Sequence, residues 1–141
     1  MCGIFGYIGH QQALPILVEG LRRLEYRGYD STGVAVEHDG IIQTHKTVGK
    51  VADLKAILPE QVPGTLGIAH TRWATHGGVT QVNTHPHPSY DGRVHLVHNG
   101  IIENFQQLRK GLAARGVECV SETDSEVLSH MVALGLEKGG T

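Results

Sequence analysis

Only two cysteines occur among the 141 residues, Cys2 and Cys119, and their separation fits neither a disulfide framework nor the close pairs that bind zinc. Both are read as free thiols. Excess positive charge is also missing: 12 Lys and Arg stand against 14 Asp and Glu, a formal net charge of -2, with no basic run. Such a surface does not gather phosphate backbones, so nucleic acid is excluded as an expected partner. Long hydrophobic runs are absent as well. The apolar stretch Leu14 to Leu17 is soon followed by Glu19, Arg22 and Arg23, and the first residues carry no positive region. Neither a signal peptide nor a membrane span is expected, and the cytoplasm is the expected location. Glycine is plentiful, at 19 residues, but scattered singly rather than in a repeat, so no low-complexity segment or array is present. A chain of this length without a linker is expected to form one domain over residues 1–141.

What the chain does contain is a mixture of strand and helix signals, which predicts an α+β fold. Residues 2–8 are apolar and partly β-branched, ending at Gly9, and predict a strand at the very start. Leu14, Leu17, Val18, Leu21 and Leu24 recur at helical spacing, with Gly28 closing the pattern. Strands over 33–38 and 41–48 flank Asp39-Gly40, a pair suited to the left-handed turn of a two-residue hairpin. A helix over 50–58 stops before Pro59, a strand runs over 66–71, and another over 94–99. The long stretch between those last two has no periodicity, which marks a functional loop. Ile101, Phe105, Leu108 and Leu112 predict a further helix, 117–120 a short strand, and Thr123-Asp124-Ser125-Glu126 a capping box opening a last helix.

Several residues are placed to carry chemistry. Removal of Met1 would leave Cys2 with a free α-amine beside its thiol. An amine of pKa about 7.7–8.0 is well matched to accept a proton from a thiol of about 8.5, so one residue would hold both nucleophile and base. Arg72 and Trp73 stand where the strand GIAHT ends, and an arginine fork there suits a carboxylate through two charge-assisted bonds. Asn99 and Gly100 end the strand over 94–99, pairing a side-chain amide with an unobstructed backbone N–H, donors that suit an oxyanion. Asp124, in the first turn of the last helix, suits an ammonium group, or is simply an acid favoured by the helix dipole.

The segments MCGIFGYIG, RRLEYRGYDSTGVA, GIAHTRWATHG, NTHPHP, HNGIIENF and SETDSEV together resemble the class II glutamine amidotransferases, which share the N-terminal nucleophile hydrolase fold, a four-layer αββα sandwich. Within that family they are most similar to the isomerising glutamine:fructose-6-phosphate aminotransferases, and LEYRGYDS with HTRWATHG points away from purine-pathway and asparagine-forming relatives. The resemblance implies Cys2 as nucleophile, Asn99 and Gly100 as oxyanion donors, Arg72 as clamp on the glutamine α-carboxylate and Asp124 as partner of its α-amine. Arg27 falls on an arginine near the nucleophile's amino end, and Trp73, Thr75 and His76 on a loop that closes over glutamine. It further implies L-glutamine as substrate, no cofactor, and ammonia passed to a separate sugar-phosphate domain that converts fructose 6-phosphate to glucosamine 6-phosphate, in a homodimer for the full-length enzyme. No such domain is expected within these 141 residues. Relatives continue beyond Thr141 with more strands, so the sandwich is expected to be incomplete and to expose apolar surface.

Two rival readings use the same residues. A truncated, non-catalytic glutamine-binding module would bind glutamine without releasing glutamate. A metal hydrolase would use His70, His76, His85, His87, His95 and His98, among which His85-Pro86-His87 has a metal-like spacing; against it, Asp91 is the single nearby carboxylate, and His95 and His98 would face opposite sides of one strand. No metal is expected. Gly3, Gly6 and Gly9 do not make the dinucleotide fingerprint, so no such cofactor is implied.

Overall fold

In the computed structural model, which describes residues 2–74 and 77–139, the alternation of side chains along four strands divides the molecule into a dry half and a polar half. Strands β1 (Gly3–Ile8), β2 (Ser31–His38), β3 (Ile41–Val48) and β4 (Leu66–Arg72) form an antiparallel sheet in the order β1-β4-β2-β3. The register sets Val34 opposite Ala69 and Phe5 opposite Ala69 from the other side. That face packs against helices α1 (Ala13–Leu24) and α2 (Val51–Ile57), where Leu17, Leu21, Val34, Val36, Leu54 and Ala69 form one buried cluster. Each fully buried aliphatic side chain there contributes roughly 1.5–3 kcal/mol by leaving water. The hairpin between β2 and β3 turns on Asp39 and Gly40, both with positive φ (51° and 78°), as a left-handed two-residue turn requires.

Because side chains alternate across a strand, the opposite face carries Gly33 of β2, Lys46 of β3, and His70 and Arg72 of β4. Against it lies a short ribbon of β5 (His87–Pro88) and β6 (His95–Leu96), followed outward by helices α3 (Phe105–Ala114) and α4 (Ser125–Glu137). Leu112, Val117 and Val127 seal α3 to α4. The order of layers is helix, sheet, ribbon, helix, the αββα arrangement expected. Gly33 permits the close approach: a Cβ there would sit 2.1 Å from the carbonyl oxygen of His85. On the β1 side this face leaves Ile4, Ile8 and Leu66 exposed, the apolar surface anticipated from the sequence.

Four local expectations need correction. The strand expected over 94–99 is reduced to His95–Leu96, because its partner is only His87–Pro88 and Pro88 has no N–H to give; past it, the His98 N–H goes instead to His85 Nδ1 (3.4 Å). Residues 117–120 form no strand, since the Val120 and Ser121 N–H groups donate to the two carboxylate oxygens of Glu126 (2.9 and 2.6 Å). The same bonds remove Glu126 from the expected capping box. Helix α4 starts after Asp124, while Thr123 Oγ1 pairs with His87 Nε2 (2.9 Å) and Ser121 Oγ (2.9 Å). Finally, the helix anticipated from Ile101 begins at Phe105, and Ile101 is exposed.

Candidate active site

A cleft of about 530 Å³ opens where the ends of β1 and β4 meet the turn after β6 and the start of α4. Cys2, Arg72, Trp73, Asn99, Gly100 and Asp124 all line it. Sequence separations as large as 97 residues are closed here by direct bonds. The first is set by β1–β4 pairing, in which Gly3 lies opposite Thr71 and its N–H donates to Thr71 Oγ1 (3.0 Å). That register carries Cys2 alongside Trp73, whose backbone N–H donates to Cys2 Sγ (3.1 Å). Trp73 itself is half exposed at the cleft mouth, not a core aromatic.

Asn99 reaches across from the other layer. Its Nδ2 donates to the Cys2 carbonyl (3.2 Å) and its Oδ1 lies 2.6 Å from His70 Nε2. One amide hydrogen of Asn99 is engaged by Cys2, leaving a second to donate, and Asn99 and Gly100 both line the cleft. Arg72 is 3% exposed, and one guanidinium nitrogen donates to the Gly78 carbonyl (3.0 Å). Asp124 is equally buried; its Oδ2 accepts from the Ile102 N–H (2.8 Å), and Ser125 Oγ, also bonded to His98 Nδ1 (3.1 Å), approaches its other oxygen. One buried cation and one buried anion therefore line the same cleft as the thiol, a charge pattern complementary to an α-amino acid.

Arg27 is not brought to this cleft. It ends a single 3₁₀ turn, Glu25–Arg27, after α1, and the cleft walls do not include it. Thr75 and His76 lie outside the described residues. In the stretch after Trp73, read as a closing loop, residues 77–82 are exposed, while Asn83 bonds Gly78 and Glu122, and Asn83, Thr84 and His85 are buried.

Among the described residues, the histidines of this cluster do not converge on a metal-sized point. His70 and His85 stack face to face, ring centres 4.1 Å apart, and His87 meets His85 edge-on at 4.5 Å. Their bonded nitrogens point to three different partners: Asn99, the His98 N–H and Thr123. Burial holds these rings neutral. It lowers His70 to about 4, with Arg72 and His98 adding to the effect against the Asn99 bond, and lowers His87 to about 3, helped by Lys46. His85 is depressed further by burial and by both neighbours. Among the described residues the one group close enough to hold an ion is Cys119, Glu126 and His130. It is closed by its own bonds. His130 Nδ1 accepts from the Tyr90 N–H (3.0 Å), so Nε2 carries the proton it shares with Glu126 Oε2 (2.8 Å), and the Glu126 oxygens already hold two backbone N–H groups.

Sequence reasoning missed the contact of His70 with Asn99. Strand parity was the available signal, since residues two apart share a face and His70 must therefore stand on the side of Arg72.

Comparison with known proteins agrees with this geometry. Residues 51–139 match the glutamine amidotransferase domain family. The chain is 54% identical over 133 residues to the glutamine–fructose-6-phosphate aminotransferase (isomerizing) of Clostridium tetani, and 58% over 135 residues to that of Streptomyces coelicolor. In both cases the match covers 94% of this chain but only 22% of the relative, so the chain spans less than a quarter of their length. Among solved structures, the glutamine phosphoribosylpyrophosphate amidotransferase of B. subtilis aligns with a TM-score of 0.78 at 28% identity, covering 94% of this chain and 29% of that one. A structure described as the allosteric regulatory enzyme of purine biosynthesis aligns at 0.80 and 30%, with the same coverage. Both have the N-terminal nucleophile hydrolase fold, and their lower identity accords with a sequence pointing away from the purine branch. With a family match over well more than half its residues, on a fold and a cleft that suit it, the chain belongs to the glutamine amidotransferase domain family.

Proposed function

We propose that residues 1–141 are a glutaminase module that hydrolyses L-glutamine to glutamate and ammonia. The observation that carries this reading is the meeting of Cys2 and Asn99 in a cleft lined by one buried cation, Arg72, and one buried anion, Asp124. Arg72 binds the α-carboxylate of glutamine and Asp124 its α-ammonium, which places the side-chain amide at the thiol. The α-amine of Cys2 takes the thiol proton, and sulfur attacks the amide carbon. The second Asn99 N–H and the Gly100 N–H receive the oxyanion. The Cys2 ammonium then protonates the departing nitrogen, ammonia leaves, and water hydrolyses the γ-glutamyl thioester to glutamate and free thiol. No cofactor takes part.

Trp73 walls the cleft mouth; the roles in glutamine binding read for Thr75, His76 and Arg27 rest on the family resemblance. In the whole protein the ammonia is delivered to fructose 6-phosphate to form glucosamine 6-phosphate, a reading supported by the names of the relatives that are 54% and 58% identical. A cytoplasmic homodimer is the expected setting, and no helix of the described residues is long and apolar enough to cross a membrane.

The test compares two preparations, one with residue 2 as the first residue and one with an uncleavable extension before it. Only the first should release glutamate and ammonia, and an electrophilic glutamine analogue should leave its adduct on Cys2 in that preparation alone. Cys2→Ala should be inactive in both. Comparable hydrolysis by the extended protein would sink the amine's role as base, because an amide nitrogen does not accept the proton.

A further inference from the structure

The orientation of the Asn99 carboxamide is not free. The Cys2 carbonyl can only accept a hydrogen bond, so the Asn99 atom 3.2 Å from it is the NH2 group. The oxygen therefore faces His70 Nε2, 2.6 Å away, and an amide oxygen only accepts. His70 Nε2 must then carry the ring proton, leaving the lone pair on Nδ1, the atom that is buried with no partner among the described residues. A ring with one nitrogen spent on a neighbour and the other left unpaired is placed for that one bond. The rest of its surroundings keep it there. His70 is fully buried in the middle of β4, its carbonyl accepts from Thr32 Oγ1 (3.1 Å), and its face is stacked on His85, which is itself held by the His98 N–H.

We propose that His70 is a positioning residue for the oxyanion site, gripping Asn99 by its carboxamide oxygen so that the amide nitrogen is presented to Cys2 and to the reacting carbonyl. The grip has two effects. It fixes the one torsion that would otherwise swing the donor away from the thiol, and it polarises the amide so that the N–H on its far side donates more strongly. Neither effect matters to glutamine in its ground state, because both act on the donor that receives charge only as sulfur attacks. The role rests on the reading of Asn99 as an oxyanion donor.

The experiment is a double-mutant cycle of His70→Phe and Asn99→Ala, measured as glutamine hydrolysis by the chain with residue 2 exposed. Alone, His70→Phe should lower kcat roughly 10- to 100-fold, the scale of a misplaced catalytic group, with KM little changed. In the Asn99→Ala background it should cost nothing further. His70→Gln, whose amide N–H reaches the same place as Nε2, should recover most of the loss. Equal losses in both backgrounds, or no recovery by His70→Gln, would overturn the proposal. An unchanged kcat in Asn99→Ala, or no hydrolysis by the parent chain, counts instead against the glutaminase reading. A second measurement then decides the present one without turnover or substitution. Ring nitrogen shifts of His70 at neutral pH should report a protonated Nε2, with a coupling across the bond to Asn99, and protonation at Nδ1 would overturn it.

Discussion

The two faces of the four-stranded sheet are built from alternate residues of the same strands, yet they obey different rules. On the face toward α1 and α2, Leu17, Val34, Val36 and Ala69 need only be apolar and of fitting volume. On the other side, buried and partly buried polar groups are aimed by specific bonds: His70 with Asn99, Arg72 with the Gly78 carbonyl, His87 with Thr123, Lys46 with the Pro86 carbonyl. The first face holds the sheet together, and the second spends that rigidity on aiming polar atoms. A buried polar group without its partner costs more than a paired one contributes, so the second face tolerates far less variation.

Substitutions that act on one face alone break this comparison most directly. Leu17→Ala, at a site with no exposure, should destabilise the chain by about 2–5 kcal/mol in denaturant unfolding while leaving kcat per folded molecule unchanged. A loss of kcat in the folded fraction would mean that the faces are not separable. Asn99→Ala should do the reverse, lowering kcat about 10²- to 10³-fold, or about 2.7–4 kcal/mol in barrier, with unfolding and glutamine affinity little altered. A fall in kcat of less than about threefold would remove Asn99 from the oxyanion site.

Acid should act through the polar face. The folded chain keeps His70 neutral down to about 4 and His87 down to about 3, whereas unfolded histidine titrates near 6.5. Below that value the unfolded state binds more protons, so stability is complete above about pH 6.5 and falls as pH drops toward 4, by about 1.4 kcal/mol per pH unit for each such ring. Denaturant midpoints between about pH 7 and about pH 5 should show this slope, and His87→Gln should reduce it by one proton's share. A flat profile would show that the rings are not buried in neutral form. The smallest effect expected is that of Arg72→Lys, which keeps the charge but loses the fork. The glutamine KM should rise by the worth of one hydrogen bond, about 0.5–1.5 kcal/mol, and an analogue with an amidated α-carboxylate should lose its disadvantage. Undiminished preference for free glutamine would assign Arg72 elsewhere.

The dry face was almost fully legible in the sequence, and the polar face only in part. Periodicity at Leu14, Leu17 and Leu21 and alternation along β2 and β4 are direct records of burial against an apolar partner, and those elements stand where they were expected. Asp39-Gly40 likewise declares its turn through backbone conformation alone. Residues 77–104 and 117–124 carry no such record, because side chain to backbone bonds order them, across a long separation in Asn83 to Glu122 and locally in Glu126 to Val120 and Ser121. Glu126 shows the confusion well: its spacing from Thr123 matches a local cap, while its partners lie on the preceding loop. Cys2, Arg72, Asn99, Gly100 and Asp124, which line one cleft, were singled out through the resemblance, which carries chemistry that periodicity does not. His70 was not singled out, since a strand histidine beside an arginine gives no sign of which asparagine it will meet.

The bond from Asn99 to the Cys2 carbonyl joins positions 97 residues apart, and Asp124 stands farther on still. During synthesis Cys2 is made before Asn99 and Asp124, so on the proposed reading its thiol exists before the groups that would set glutamine against it. Closing so long a loop carries an entropic cost that only the completed layers repay. On the proposed reading, a chain still short of Asn99 and Asp124 is chemically quiet toward glutamine, and ammonia release waits on the folding that brings Cys2 and Asn99 together.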